Sequence, residues 1–422
     1  MVERDRRGND LRARHRRIIM LLRAGTLLSL LLMAGAAILP RAVGAESPYS
    51  TISPRTEVAS DIQFLYKLIF WMALVVFVGV QAGLVYTVLR FRRRSEQEER
   101  PEQVHGNKTL EIAWTILPAI VLLVIFIPTV QTLFKFDAEA QEADADYVID
   151  VYGKQWWWEV HYAEPSDQVG GIITANEIYI PAGKRVVFRL YSNNVIHSFW
   201  VPQLSGKMDL IPGHVNRLGF TADKPGVYYG ECAEFCGDSH AWMRFIVHVQ
   251  PQEQFDAWVN AWKAGPSQAA ADAAGTGDVA QAPDAFAVCA ACHRINGTQF
   301  NTAAVGLEQT PDISKIAGPN LTLFGCRATI GAGLLRNTPE NLASWLRDPG
   351  AIKPGNHMAT AIKPGTLTED QIQTLVNYLQ ALQPDGGCPE PTGENADLEP
   401  PTADDVNIPP AQPAESAASE GE

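Results

Sequence analysis

The loop from Glu231 to Met243 brings together side chains that suit copper. It contains two cysteines four residues apart, a histidine four residues further on and a methionine three residues after that. Copper binds thiolate, imidazole and thioether ligands, and a mononuclear blue-copper loop needs only one cysteine. Because this loop offers two thiols, we predict that they bridge a pair of copper ions. The predicted loop ligands are Cys232, Cys236, His240 and Met243.

A second imidazole must come from outside the loop, and His197 is the candidate. It follows an alternating, strand-like segment and lies well upstream of the loop, as the separated histidine does in cupredoxin-type sites. A disulfide between Cys232 and Cys236 is the alternative, since two cysteines in an exported domain are usually bridged. However, a pair with this spacing, in register with histidine and methionine, is a poor disulfide framework and a good metal loop.

A second motif, C-A-A-C-H, predicts covalently attached haem. Its spacing allows Cys289 and Cys292 to add to the two vinyl groups of one haem, with His293 beneath the iron. A thioredoxin-like redox pair would need a βαβ context, which this alanine-rich segment lacks. The downstream segment I-K-P-G-N-H-M offers Met358 as the sixth iron ligand, and His357 is the lesser candidate. A His/Met pair raises the reduction potential relative to a His/His pair.

The elements that must carry these sites begin with two apolar stretches. Residues 64–89 and 112–133 are each long enough to span a bilayer, and we predict a transmembrane hairpin within residues 60–135. The loop between them opens with R-F-R-R-R, whereas the segment after the second stretch is acidic. The positive-inside rule therefore places the loop in the cytoplasm and the later domains on the outer side.

The N-terminus predicts export. Residues 1–45 combine a strongly basic start with an apolar run and end in A-V-G-A, which is typical of a signal peptide. A retained membrane anchor is the alternative. The whole chain has a formal net charge of −13, and cleavage would make it more acidic because the removed segment is basic. We expect no nucleic-acid partner.

The rest of the chain divides into four parts by pattern. Residues 145–263 alternate apolar and polar positions and predict an all-β barrel or sandwich. Residues 264–283 have few large apolar side chains and are interpreted as a linker. Residues 284–383 contain helix-capping signals and predict a small helical domain. Residues 384–422 are rich in proline, alanine and acid, which predicts a disordered tail.

Two cysteines belong to neither cofactor motif. Cys326 and Cys388 lie on the predicted outer side, in an oxidising compartment where a leftover pair is usually bridged. Glycines before Cys388 would let the chain fold back. We predict a disulfide, and two unpaired thiols are the alternative.

Most of the chain resembles one family: subunit II of haem-copper cytochrome c oxidases, in the caa-type form with a fused C-terminal cytochrome c. The resemblance implies a two-helix transmembrane hairpin, an all-β cupredoxin-like barrel and a small all-α class I cytochrome c domain. It is carried by the copper loop and by L-E-I-A-W-T-I-L-P-A, Q-W-W-W, H-S-F-W-V-P-Q-L-S-G-K-M-D-L-I-P-G, G-P-N-L-T and N-T-P-E-N-L-A-S-W-L-R-D-P.

The same resemblance implies roles for individual residues. Glu234 would give its backbone carbonyl to one copper, and its side chain would reach a shared magnesium ion. Trp156 corresponds to the tryptophan at which electrons enter, and the carbonyl of Pro319 would accept a hydrogen bond from the proximal imidazole. Asn194 is a departure, since many members have an acidic residue three positions before the first histidine.

The implied function is that of an electron-entry subunit of a respiratory oxidase. Electrons would pass from one covalent haem c to the binuclear copper centre and on to the catalytic haem-copper subunit I, where oxygen becomes water with proton translocation. Subunit III, membrane lipid, and soluble cytochrome c or quinol-cytochrome c reductase are the other expected partners. The expected location is the bacterial inner membrane, with the copper and haem domains on the periplasmic side.

Three other functions share parts of this pattern. A copper-containing subunit of a nitric oxide reductase could have the same hairpin and barrel. Nitrous oxide reductase shares the copper loop, but the hairpin and haem domain leave no room here for its large propeller. Quinol-oxidase subunit II has the barrel without copper and acts structurally, which the intact ligand set of this chain argues against.

Overall fold

The structure is a computed structural model in which several segments are not described. The predicted signal peptide at 1–45, most of the basic loop and the end of the acidic tail lie outside the described residues. The described residues are 49–91, 106–163, 171–192, 194–298 and 318–396.

Two long apolar helices form the hairpin. Helix α1 spans Glu57–Phe91 and helix α2 spans Lys108–Glu139, with mean hydropathies of 2.4 and 2.5 over their most apolar windows. Both are long and apolar enough to cross a membrane, and most of their side chains face outward, as lipid contact requires. Both helices are longer than the predicted apolar stretches, because those stretches leave out the polar residues at the helix ends. There Lys135 lies 2.7 Å from Asp61.

The β domain is a sandwich of two five-stranded sheets. One sheet has the order β3-β2-β1-β5-β8 and the other β4-β10-β9-β6-β7, with the parallel pairs β1/β5 and β4/β10. Large apolar residues such as Trp158 and Phe199 fill the space between the sheets. The strands are β1 Tyr147–Lys154, β2 Trp157–Ala163, β3 Ile173–Ala175, β4 Glu177–Pro181, β5 Arg185–Ser192, β6 His197–Trp200, β7 Met208–Leu210, β8 Asn216–Thr221, β9 Gly226–Cys232 and β10 Arg244–Gln250.

Helix α3, Gln252–Ala264, closes this domain. Its buried face inserts Phe255, Trp258 and Trp262 into the core of the sandwich. The ring of Trp258 stacks on Tyr179 with centroids 4.6 Å apart. The sandwich and its closing helix, residues 147–264, are called the copper domain below.

The segment predicted as a linker, 264–283, is packed instead. It contains helix α4, Gln268–Ala274, and the side chains of Ala271, Val279 and Ala282 belong to the core of the following domain. The hydroxyl of Tyr378 also donates a hydrogen bond to the carbonyl of Val279 at 3.2 Å. Small apolar side chains are enough for this close contact. The linker was predicted because large apolar side chains are few in this segment.

The C-terminal domain is small and mainly helical. Thr368 and Gln371 form a reciprocal capping box at its last helix, as predicted from their spacing. Residues 268–388 are called the haem domain below. Its helices after α4 are α5 Pro339–Arg347, α6 Pro349–Ile352, α7 Met358–Ala361 and α8 Glu369–Gln380, and its short strands are β11 Thr329–Ile330 and β12 Leu335–Arg336.

The first part of the predicted disordered tail, residues 384–422, is ordered by two attachments. Cys388 forms a disulfide with Cys326. Further on, the backbone of Glu394 accepts from Val227 at 2.8 Å and donates to Pro225 at 2.9 Å. Composition did not predict this fold-back, because the backbone hydrogen bonds that hold it need no apolar side chains.

Removing this disulfide should destabilise the haem domain. Replacing Cys326 and Cys388 together by serine should lower its free energy of unfolding by about 2–4 kcal/mol, because the unfolded chain gains the freedom of an unclosed loop. Denaturant titration followed by haem absorbance measures this change. An unaltered midpoint, or alkylation of both cysteines without reductant in the unmodified protein, would contradict the bridge.

Candidate copper and haem centres

The predicted copper ligands converge in the structure. The Sγ atoms of Cys232 and Cys236 are 3.9 Å apart. The Nδ1 atom of His197 lies 3.9 Å from the first sulfur, and that of His240 lies 3.6 Å from the second. The Sδ atom of Met243 lies 3.9 Å from the Cys236 sulfur. Each thiol therefore has its own imidazole, and the two sulfurs lie between them.

Adjacent strands position these side chains. His197 is the first residue of β6, Cys232 is the last residue of β9, and Met243 immediately precedes β10. Because β9 pairs with both neighbours, the ends of all three strands meet. His197 and Met243 are fully buried, which fixes their orientations. Gly153 packs on the imidazole, since a Cβ there would lie 2.7 Å from the His197 ring.

The thiol pair readily carries one negative charge. Hydrogen bonds from the Cys236 thiol and, more weakly, from His197 lower the pKa of Cys232, although burial opposes this. The pKa of Cys236 is raised by its hydrogen bond to Cys232, by burial and by the neighbouring charge. A second thiolate therefore needs bound cations to stabilise it. Two soft thiols, two imidazoles and a thioether fit a pair of copper ions.

Two oxygens lie beside this ligand set. The backbone carbonyl of Glu234 is 3.3 Å from the Cys232 sulfur, which places it at the edge of the site. The side-chain oxygen of Asn194 is 3.3 Å from Nε2 of His197. Such an acceptor orients a ligating imidazole, and the Asn194 amide can do so here.

The second site surrounds His293 in the haem domain. Its Nδ1 donates a hydrogen bond to the carbonyl of Pro319 at 2.8 Å, which leaves Nε2 free to bind iron. Burial lowers the pKa of His293, so the ring is neutral as a metal ligand must be. Gly318 lets the turn approach, since a Cβ there would lie 2.7 Å from the imidazole.

The haem-motif side chains line one cavity of about 630 Å³. Cys289 and Cys292 are free thiols at its wall, and Met358 and His357 also line it. The size and apolar lining fit a large planar cofactor. The donor set of two thiols, a neutral imidazole and a thioether fits haem attached through cysteines.

Trp156 touches both sites. Its indole Nε1 donates to the carbonyl of Cys236 at 3.0 Å, and Gln155 donates to the same oxygen at 2.7 Å. The ring also lines the haem cavity, where Gly355 packs on it. Trp156 therefore lies beside both the copper loop and the haem cavity.

Lys353 is a residue of this region that no sequence motif predicted. Its side chain is buried between the two domains, although lysine is usually exposed. Burial lowers its pKa to about 7, and the nearby Cys236 opposes the shift. The signal available in the sequence was its place in I-K-P-G-N-H-M, five residues before the predicted iron ligand Met358.

Comparison with known proteins identifies the family of the chain. Residues 52–132 match the transmembrane domain of cytochrome c oxidase subunit II, residues 166–250 match its periplasmic domain, and residues 279–383 match cytochrome c. Cytochrome c oxidase subunit 2 of Alkalihalophilus pseudofirmus is 37% identical over 327 residues, which cover 76% of this chain and 88% of the relative. The chain belongs to the cytochrome c oxidase subunit II family.

This subunit II has other relatives of two kinds. Cytochrome c oxidase subunit 2 of Bacillus sp. strain PS3 is 40% identical over 305 residues, covering 69% of this chain and 79% of that protein. Quinol oxidase subunit 2 of Bacillus cereus is 33% identical over 239 residues, covering 55% and 76% respectively. The predicted family and fold class are confirmed: two apolar helices, a cupredoxin-like domain and a cytochrome c domain.

Membership of the family has direct consequences. This subunit II is the electron-entry subunit of a haem-copper oxidase, an oxidoreductase complex. Its periplasmic domain implies a copper site, its cytochrome c domain implies haem, and its two apolar helices imply membrane anchoring.

Proposed function

We propose that this subunit holds one haem c through Cys289, Cys292, His293 and Met358, and that electrons pass from it through a binuclear copper centre to the catalytic subunit for the reduction of oxygen to water coupled to proton translocation. The position of Trp156 carries this proposal. One hydrogen bond joins its indole to the copper loop, and its ring is part of the haem cavity wall. The copper loop and the haem cavity can therefore be connected through this side chain, without solvent in between.

The burial of the copper ligands supports electron transfer rather than catalysis at this site. His197 and Met243 are fully buried, and Cys232 and Cys236 are nearly so. Ligands held by packing cannot move far, so the site changes shape little when its charge changes. We assign Glu234 as a further copper ligand through its carbonyl, with its carboxylate holding magnesium at the contact with the catalytic subunit.

The covering of Trp156 supports a specific order of electron entry. Its side chain is 8% exposed, and the haem domain packs on it. An external donor, either soluble cytochrome c or quinol-cytochrome c reductase, would therefore reduce the haem and not the copper. The hairpin would lie in the bacterial inner membrane beside subunits I and III, with both cofactor domains in the periplasm.

Replacing Trp156 by phenylalanine should slow copper reduction without preventing haem reduction. The variant removes the hydrogen bond to Cys236, and a small misplacement of coupled groups can cost a large factor, here roughly tenfold or more. Stopped-flow absorbance of the purified complex would follow haem and copper separately after addition of a reduced donor. Trp262→Phe is the matched control, because Trp262 is a buried tryptophan of the same domain that packs against Trp258 within helix α3. Equal copper reduction rates in both variants would rule out this path.

The same purified complex can be used to test whether oxygen is the terminal electron acceptor. The complex purified from its native membrane should consume oxygen when supplied with reduced donor, and should contain two coppers per subunit II. Rapid consumption of nitric oxide in place of oxygen would identify the copper subunit of a nitric oxide reductase. Lack of copper would instead indicate the structural role of a quinol-oxidase subunit.

A further inference from the structure

Lys353 joins the haem domain to the copper domain. Its Nζ donates three hydrogen bonds, to the carbonyls of Trp156 at 2.7 Å, Trp242 at 2.8 Å and Gly331 at 2.7 Å. The first two carbonyls belong to the copper domain and the third to the haem domain. The residue is 3% exposed, so these bonds are shielded from water.

Three carbonyl oxygens at hydrogen-bond distance from one nitrogen require three N–H groups on that nitrogen. A lysine ammonium has three N–H groups, whereas the neutral amine has two. Each buried carbonyl would otherwise be left without a partner, which is costly. When Lys353 is protonated, the three bonds therefore hold the backbones of three separate segments around its Nζ atom.

The residues after Lys353 continue the same interface. The hydroxyl of Ser239, which is fully buried, donates to the carbonyl of Pro354 at 2.6 Å. Gly355 has a φ of +75° and packs against the indole of Trp156, where an added Cβ would lie 2.7 Å from the ring. Residues 353–356, called the docking loop, thus fit the copper domain closely.

The docking loop lies close to the axial-ligand segment of the haem along the chain, and it contacts the copper loop in space. Met358 lies two residues after it, and Trp242, whose carbonyl accepts a hydrogen bond from Lys353, immediately precedes Met243. The other carbonyl that it holds in the copper domain is that of Trp156 itself. A shift of this loop would therefore move the axial-ligand segment of the haem relative to the copper loop and to the tryptophan between them.

We propose that Lys353 is a positioning residue that docks the haem domain on the copper domain and sets the geometry for electron transfer between them. This inference rests on the proposed function. Lys353 also lines the haem cavity, but its three hydrogen bonds all go to backbone carbonyls. It acts through the backbone of Trp156 and Trp242, which it keeps in contact with the docking loop.

The test uses the full subunit in its purified complex. Lys353→Met keeps the length of the side chain but removes all three N–H donors. The fast phase of copper reduction by haem should lose amplitude about tenfold, because the docked arrangement loses three buried hydrogen bonds. Pulsed electron paramagnetic resonance should show a longer and broader haem-to-copper distance. The absorption and resonance spectra of both centres should stay unchanged, which a general folding defect would not allow.

Lys363→Met is the matched control, since Lys363 is an exposed lysine of the same domain. A second variant, Ser239→Ala, removes the neighbouring bond from the copper-domain side. If Lys353→Met fails to assemble, the serine variant should still show a broadened distance and a slower fast phase. Unchanged distance and rate in whichever variants assemble would overturn the role of Lys353. Absence of haem-to-copper transfer in the unmodified complex would instead overturn the proposed function.

Discussion

Replacing Cys236 with serine should abolish the binuclear copper spectrum and reduce oxygen consumption at least about a hundredfold, since even outer groups of a metal site can cost 10–100-fold. The Cys236 sulfur lies 3.9 Å from that of Cys232, 3.6 Å from His240 and 3.9 Å from Met243. Its removal takes away the atom that all three neighbours share. A serine hydroxyl is a poor substitute because copper favours soft thiolate.

The measurement is copper content per subunit together with the electron paramagnetic resonance and visible spectra of the purified complex. The double replacement of Cys326 and Cys388 by serine is the control, because these cysteines pair with each other away from the copper loop. It should retain both coppers. One copper per subunit with a blue-copper spectrum in the unmodified protein would disprove the bridging arrangement.

Replacing Met358 with alanine should lower the haem reduction potential by on the order of 100 mV while the haem stays attached, since axial ligands tune haem over a wide range. Attachment depends on Cys289 and Cys292, which line the same cavity. Loss of the thioether removes the ligand that raises the potential. Haem attachment and the haem reduction potential therefore depend on different residues of this domain.

Spectroelectrochemical titration and the methionine-sulfur absorption band test this expectation. His357→Ala is the matched control, because His357 precedes Met358 and lines the same cavity. That variant should change neither the potential nor the band. The opposite pattern, with His357→Ala altering both, would assign the sixth ligand to the histidine.

The two cofactor motifs were predictable because their chemistry is local. The ligands of Cys232 to Met243 and of Cys289 to His293 lie within short stretches, and their spacing alone limits which metal or cofactor they suit. The two apolar helices and the capping box at Thr368 are local as well, since they depend on hydropathy and on residues three positions apart. The sequence by itself therefore determined the cofactor classes and the order of the domains.

The tertiary structure alone decided how the two sites meet. Lys353 holds the carbonyl of Trp156 across 197 positions of sequence, and Asn320 donates to Ile173 across 147. No helical or strand period encodes such contacts, because they depend on which surfaces pack once the elements have formed. The same reason explains why the segments at 264–283 and 384–396 are packed although their composition predicts a linker and a tail. Backbone groups and small side chains make these contacts, and both are nearly invisible to hydrophobic patterning.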